Sequence, residues 1–180
     1  MNPDERRSAV LNVIQKLKEN GSWCGETHVQ KTMFFFNHLA GERAYPYILY
    51  KHGPYSFDLH DELGLMQIYH LIGSNYVDPR YGPKLQISAP DDAVEEYLSH
   101  SSRFNRVVEF LGERLGPYGV GMLEQLATAL YFTKEKPVSQ DQRVQRIREE
   151  KPHISVDSAE RAIEKVDEIL EGFKASGEGV

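Results

Sequence analysis

Gly25-Glu26-Thr27-His28-Val29-Gln30-Lys31-Thr32-Met33-Phe34-Phe35-Phe36, followed downstream by Tyr50-Lys51-His52-Gly53-Pro54-Tyr55-Ser56-Phe57-Asp58-Leu59, is the stretch whose reading decides the fold. From Glu26 to Leu39, Val29, Met33, Phe36 and Leu39 recur at helical spacing with Phe35 beside them. Gly41 supplies the stop, because glycine accepts the left-handed conformation that ends helices. The spacing predicts a buried amphipathic helix. Tyr45 to Tyr50 is an aromatic and β-branched run with Pro46 near its start, which favours a short edge strand. Gly53-Pro54 reads as a break in the chain, and Ser56 as the cap of a third helix.

Upstream, Ala9, Val10, Val13, Ile14 and Leu17 fall at helical spacing and Gly21 ends the pattern, giving a first helix from Asp4 to Asn20. Downstream, Leu59, Leu63, Met66 and Leu71 extend the third helix from Ser56 to Ile72, weakened locally by Gly64. Tyr76-Val77 and Leu85-Gln86-Ile87 bracket a turn-rich Asp78–Pro83 segment and read as a β-hairpin. Helix, helix, strand, helix, hairpin is the order of a winged helix.

From Pro90-Asp91-Asp92 the pattern is helical to Gly116, with a break around Ser99–Ser102, and again from Gly121 to Thr133. Ser139 reads as the cap of a helix to Lys151, and Ser155 or Asp157 as the cap of a last one to Phe173. The expectation is an α+β, mostly α protein: a winged-helix-like half (1–90) with a short strand and a β-hairpin, packed on a C-terminal helical bundle (91–174), with a flexible tail at 175–180. Leu98, Phe104, Val107, Val108, Phe110 and Leu111 are more apolar material than a lone helix covers, so one composite domain is expected.

Composition narrows the function. No apolar run approaches the ~20 residues that span a bilayer, and the first residues lack a secretory apolar region, so a cytoplasmic protein without membrane contact is expected. The single Cys24 cannot form an internal disulfide, in keeping with a reducing compartment. The net charge of -6 lies wholly in the second half, since residues 1–90 hold nine Lys and Arg against nine Asp and Glu. That is not the basic footprint of a nucleic-acid binder; it aids solubility or suits a basic partner.

The pattern Gly-Glu-Thr-x-x-Gln-Lys at 25–31, the aromatic helix, and Tyr-Lys-x-Gly-Pro-Tyr-Ser-x-x-Leu at 50–59 resemble the YwgA-like group of small proteins, itself similar to the Panacea domain of SocA-like antitoxins. The resemblance covers the first half, with a weaker echo at Leu123-Glu124-Gln125-Leu126-Ala127-Thr128. At Tyr55-Ser56 the chain departs from Panacea members, which more often continue from Gly-Pro with an aliphatic residue. The resemblance implies a helix-rich domain that holds protein partners, often a toxin, with no settled enzymatic activity.

Catalytic chemistry finds little footing in the spacing. Cys24 and His28 would share a helix face only if the helix already included Cys24, and Gly25 places its start later. The seven histidines never form close ligand pairs, and Gly82-Pro83-Lys84 lacks the P-loop pattern, so neither a metal nor a cofactor is expected. Asp58, Asp61 and Glu62 sit where the helix dipole favours negative charge in any case.

Lys31, Tyr50, Lys51, His52, Gly53, Pro54 and Tyr55 form the candidate partner-binding patch, because tyrosines and cations are typical interface anchors. The competing reading lays the Lys31 stem on the core with its ammonium in water and packs Tyr55 inside. The expected function is a non-enzymatic module that binds another protein, with homo-oligomerisation compatible with it, in an antitoxin-like or defence-associated role. The alternative is a winged-helix DNA-binding regulator contacting phosphates through Arg80 and Lys84. Its recognition helix, however, would carry Asp58, Asp61 and Glu62 and no Lys or Arg.

Overall fold

The computed structural model describes residues 1–78 and 81–177, and the side chains of these residues apart from Gln140 and Asp141. Helix α1 (Pro3–Glu19) begins at a reciprocal cap: Asn2 Oδ1 accepts the Glu5 N–H at 2.8 Å, and Glu5 Oε2 accepts the Asn2 N–H at 2.9 Å. Its inner face, Ala9, Val10, Val13, Ile14 and Leu17, is buried as the periodicity predicts. Helix α2 (Glu26–Leu39) departs from the amphipathic expectation. Phe34, Phe35 and Phe36 point in three directions and all are fully buried, so α2 is enclosed on every side and is the axis of the core. Gly41 follows it at φ +66°, as expected of its stop.

The strand regions need correction. Strand β1 spans only Ile48–Tyr50, because Asn37 takes over the segment before it: its side chain accepts the Ala44 N–H and donates to the Tyr45 carbonyl. Gly53-Pro54 does not break the chain but opens strand β2 (Gly53–Tyr55), which pairs antiparallel with β1 in the register Ile48↔Tyr55, Tyr50↔Gly53. Helix α3 (Phe57–Ile68) has Ser56 as its cap, with Oγ accepting the Leu59 N–H. It stops four residues earlier than expected, where the Leu71 N–H turns back to the Met66 carbonyl and His70 adopts φ +56°.

That early stop releases Ile72 into strand β3 (Ile72–Asn75), which pairs with β4 (Lys84–Ile87) through Ile72↔Ile87 and Ser74↔Leu85. Tyr76-Val77 therefore lies beyond the strand rather than in it. The element order departs from the expected one in that a hairpin, β1–β2, stands where a single strand was expected, and β1–β2 and β3–β4 form separate two-stranded sheets.

Helices α4 (Asp91–Ser99) and α5 (Asn105–Leu115) are split by a short 3-10 turn at Ser102–Phe104, at the expected break. Helices α6 (Val120–Lys134), α7 (Gln140–Glu150) and α8 (Val156–Ala175) complete a fold that is α+β and mostly α. Ser155, not Asp157, caps α8, and Arg143 bridges α7 to α8 through paired 2.8 Å bonds to both Asp167 carboxylate oxygens. Of the expected tail, Ala175 closes α8, Arg106 donates to Ser176 Oγ, and residues 178–180 lie outside the described residues.

The core is one cluster drawn from both halves: α2 packs on α5 and α6, and α1 on α4 and α5. Among the described residues no helix is long and apolar enough to cross a membrane. The α1–α5 contact is close at Gly112, where an added Cβ would lie 2.8 Å from Lys16 Cβ and 3.2 Å from the Lys16 carbonyl carbon. Backbone cannot yield as a flexible side-chain tip does. Gly112→Ala is therefore expected to destabilise the protein by ~1–3 kcal/mol in urea denaturation, through overpacking.

Candidate functional site

A two-stranded hairpin leaves carbonyls on both edges that need donors if the hairpin is to be buried. Here the donors come from two elements far apart in sequence. Lys31, in the middle of α2, is only 2 % exposed and donates from Nζ to the Pro54 carbonyl at 2.8 Å. Lys151, just after α7, is also buried; its Nζ donates to the Tyr50 carbonyl and, at 2.6 Å, to that of Lys51. The β1–β2 turn is thus gripped by an ammonium from each side.

The rest of the α2 motif extends the grip. Gln30, fully buried, pairs its side-chain amide with the Ser56 backbone as a strand would, accepting the N–H at 3.0 Å and returning a 2.9 Å bond to the carbonyl. The Tyr47 hydroxyl donates to the Gln30 carbonyl at 3.0 Å. At the first turn of α2, Glu26 Oε1 accepts the Tyr55 hydroxyl at 3.0 Å, with His60 Nδ1 2.8 Å from the same oxygen. Gly53 sits at φ +84°, and a Cβ there would lie 2.9 Å from Thr128 Oγ1 and 3.3 Å from the Glu124 carbonyl. Only glycine meets both conditions, so the hairpin presses directly on the α6 backbone.

Two enclosed ammonium groups repel each other and are poorly solvated. Burial pushes the Lys31 pKa down to about 8; Glu124 pulls it back up and Lys151 pushes it further down. Lys151 is lowered mainly by burial, again opposed by Glu124. Glu124 is therefore the shared counter-charge, with His52 Nδ1 3.4 Å from its Oε1. Burial first, then the bond to Glu26, pushes the Tyr55 phenol up to about 12.

The structure divides the candidate patch. Lys31, Gly53 and Pro54 are buried, Tyr55 is half-buried, and Tyr50, Lys51 and His52 form the exposed tip. Lys31 does not lay its ammonium in water, because the hairpin closes over it. Sequence reasoning did not assign Glu124, Thr128 and Lys151 to this site. The first two fall inside the weak echo at 123–128, a usable signal, whereas nothing local marks Lys151. Lys84 stacks its ammonium 4.1 Å over the Trp23 ring, and Arg80 lies outside the described residues. Burial pushes the Cys24 thiol up to about 12, and His28 Nδ1 accepts the Gly25 N–H, so the two do not form a nucleophile and base.

Outside this clasp, the rings of Tyr50, Tyr55 and Phe57 pack with centroids 5.1 to 5.9 Å apart. Tyr50 is 44 % and Phe57 52 % exposed, and Leu65, Ile68 and Tyr69 are exposed further along α3 and at its end. Concave space flanks it: a cavity of about 310 Å³ beside Lys31, Tyr50 and Tyr55, and a groove of about 490 Å³ over Gly64. A larger groove of about 1000 Å³ runs between Trp23, Tyr81 and Val120. No protein-family model matches the chain, and no curated protein matches it.

The clasp has a pH signature. Below about pH 8 both folded and unfolded chains hold the Lys31 proton, so its burial is a constant penalty. Between about pH 8 and the ordinary value of 10.5 the unfolded chain binds more protons than the folded one, so this site's contribution to stability rises with pH. Wild type is expected to gain ~1–2 kcal/mol relative to Lys31→Met between about pH 7 and 9.5 in denaturant titrations. A pH-independent difference between the two would show that the ammonium is not desolvated.

Proposed function

We propose that the protein is a non-enzymatic interaction module that binds another protein, in an antitoxin-like or defence-associated role, through the face formed by the β1–β2 tip and α3. The observation that carries this reading is the exposure of large apolar side chains on neighbouring elements: the packed rings of Tyr50 and Phe57 at the tip, then Leu65, Ile68 and Tyr69 towards the other end of α3. A soluble monomer rarely gathers exposed aromatic and aliphatic side chains without a use for them. Tyr50 supplies the aromatic anchor and Lys51 and His52 the polar rim, the arrangement that makes interface hot spots. Lys31, Gly53 and Pro54 belong to the same site from beneath, holding the tip in place.

The winged-helix regulator is the weaker reading. An α3 that carries Asp58, Asp61 and Glu62 and neither Lys nor Arg repels phosphates where a recognition helix must approach them. Lys84, the described wing cation named for that role, is engaged with Trp23.

Purification of the tagged chain from its host is expected to bring down a partner protein, and the Tyr50→Ala, Lys51→Ala double variant to lose at least tenfold of it. The variant should keep its melting temperature within a few degrees, since both side chains are exposed. Full retention of the partner by the folded variant would refute the placement of the interface. Submicromolar duplex binding that weakens steeply with salt in fluorescence anisotropy would instead establish the regulator.

A further inference from the structure

Helix α3 has its inner face on Leu59, Leu63 and Met66, with Glu62 turned inward to an ion pair with Arg7 Nε. Its outermost ridge is then Phe57, Asp61, Gly64 and Ile68, at spacings of four, three and four residues. In an ordinary surface helix that ridge is polar. Here both ends are apolar, Ile68 is 70 % exposed, and Leu65 lies alongside.

Gly64, between them, is the second anomaly. Glycine is the least favourable helix-interior residue after proline, so a helical glycine usually answers to a close contact. At Gly112 that contact is present within the chain. At Gly64 an added Cβ would meet nothing within 4 Å among the described residues, so none of them calls for glycine there. Its missing side chain opens the groove of about 490 Å³ lined by His60, Asp61, Leu63, Leu65, Ile68 and, at its edge, Glu26. A small residue at a crossing point is what lets two helices approach closely and interdigitate their ridges.

Charge selects the occupant. With Glu62 paired to Arg7, and Glu26 to His60 and Tyr55, α3 presents Asp61 in the lining of the groove and Asp58 one turn before it on the same helix, and no Lys or Arg of its own. We propose that this groove seats a basic amphipathic helix of another protein, its apolar face crossing α3 over Gly64 between Phe57 and Ile68, and its Lys or Arg residues facing Asp58 and Asp61. Phe57 and Ile68 are about 16 Å apart along the axis, the reach of about three helical turns. A second copy of this chain is a poor occupant, because it would bring two further aspartates and no Lys or Arg of α3 to the contact.

This inference rests on the interaction-module reading and adds the groove and the partner's chemistry to it. Fluorescence anisotropy with a synthetic amphipathic helix of about four turns, bearing lysines on its flanks and alanine at the centre of its apolar face, tests it. Its control is the same peptide with every lysine replaced by glutamate. The basic peptide should bind the full chain at least tenfold more tightly than the acidic one. Gly64→Leu, which fills the groove with a better helix former, should lose at least tenfold in affinity while melting no lower than wild type. The Asp58→Asn, Asp61→Asn pair should bind several-fold more weakly with a shallower salt dependence.

Equal affinity for the two peptides, no binding of either, or undiminished binding by Gly64→Leu overturns the proposal. So does a wild-type dimer in sedimentation that Gly64→Leu dissociates, which makes a second copy the occupant. Co-purification from the host separates the two levels. A partner lost with the Tyr50 and Lys51 variant but kept in full by Gly64→Leu refutes the groove and leaves the module standing, whereas no partner at all refutes the module itself.

Discussion

Two lysine ammonium groups on the carbonyls of one short hairpin are the constraint on which the rest of this structure depends. A buried ammonium is unfavourable unless its donors are used, and a buried carbonyl is unfavourable unless it accepts; pairing them satisfies both at once. A charge-assisted bond of this kind contributes ~1.5–3 kcal/mol, while a carbonyl left without its partner costs ~1–3 kcal/mol. Lys31 and Lys151 come from opposite halves of the chain, so the hairpin forms in this shape only when α2, α6 and the end of α7 are already together. The Glu124 carboxylate makes the arrangement tolerable by serving both cations, and it stands on the same α6 turn that Gly53 touches.

This accounts for the order of residue types along the motif. Glu26, Gln30 and Lys31 lie on one side of α2 and each grips a different point of the segment from Pro54 to Ser56, with Tyr55 reaching back to Glu26. The motif is a set of stitches between a fully enclosed helix and a hairpin too short to hold itself. Since a two-stranded hairpin alone is at best marginally stable in water, its order is borrowed from α2 and α6.

Much of the fold was legible because helices announce themselves over many residues. The inner positions of α1 and α3, the stop at Gly41 and the break at 99–102 all follow from spacing and local backbone chemistry. The hairpins were less legible. Gly53-Pro54 ordinarily punctuates a chain, and its use as a strand depends on donors that arrive from Lys31 and Lys151, a tertiary fact with no local trace. The early end of α3 likewise depends on Leu71 turning back to Met66. Lys31 was legible as unusual but not as buried, because a lysine stem on a core normally carries its charge to water. Lys151, about a hundred residues from its acceptors, had no signal in the sequence at all.

The interior also sorts the surface. Where packing, a cap or a buried hydrogen bond already requires a residue, its identity says nothing about partners, and this removes Gln30, Lys31, Gly53, Pro54 and Ser56 as independent witnesses to an interface. What remains are residues whose types the fold does not explain: an exposed phenylalanine at 57, an isoleucine at 68 standing in water, and a helical glycine at 64 where an added Cβ would meet none of the described residues. Each is unfavourable or neutral for the isolated chain. They lie along one helix ridge, and that ridge adjoins the exposed tip held rigid by the two lysines. A rigid support matters because an interface whose side chains are already ordered loses less entropy on binding. On the proposed reading, the buried cations and the exposed ridge are two sides of one device, the first fixing the geometry that the second presents.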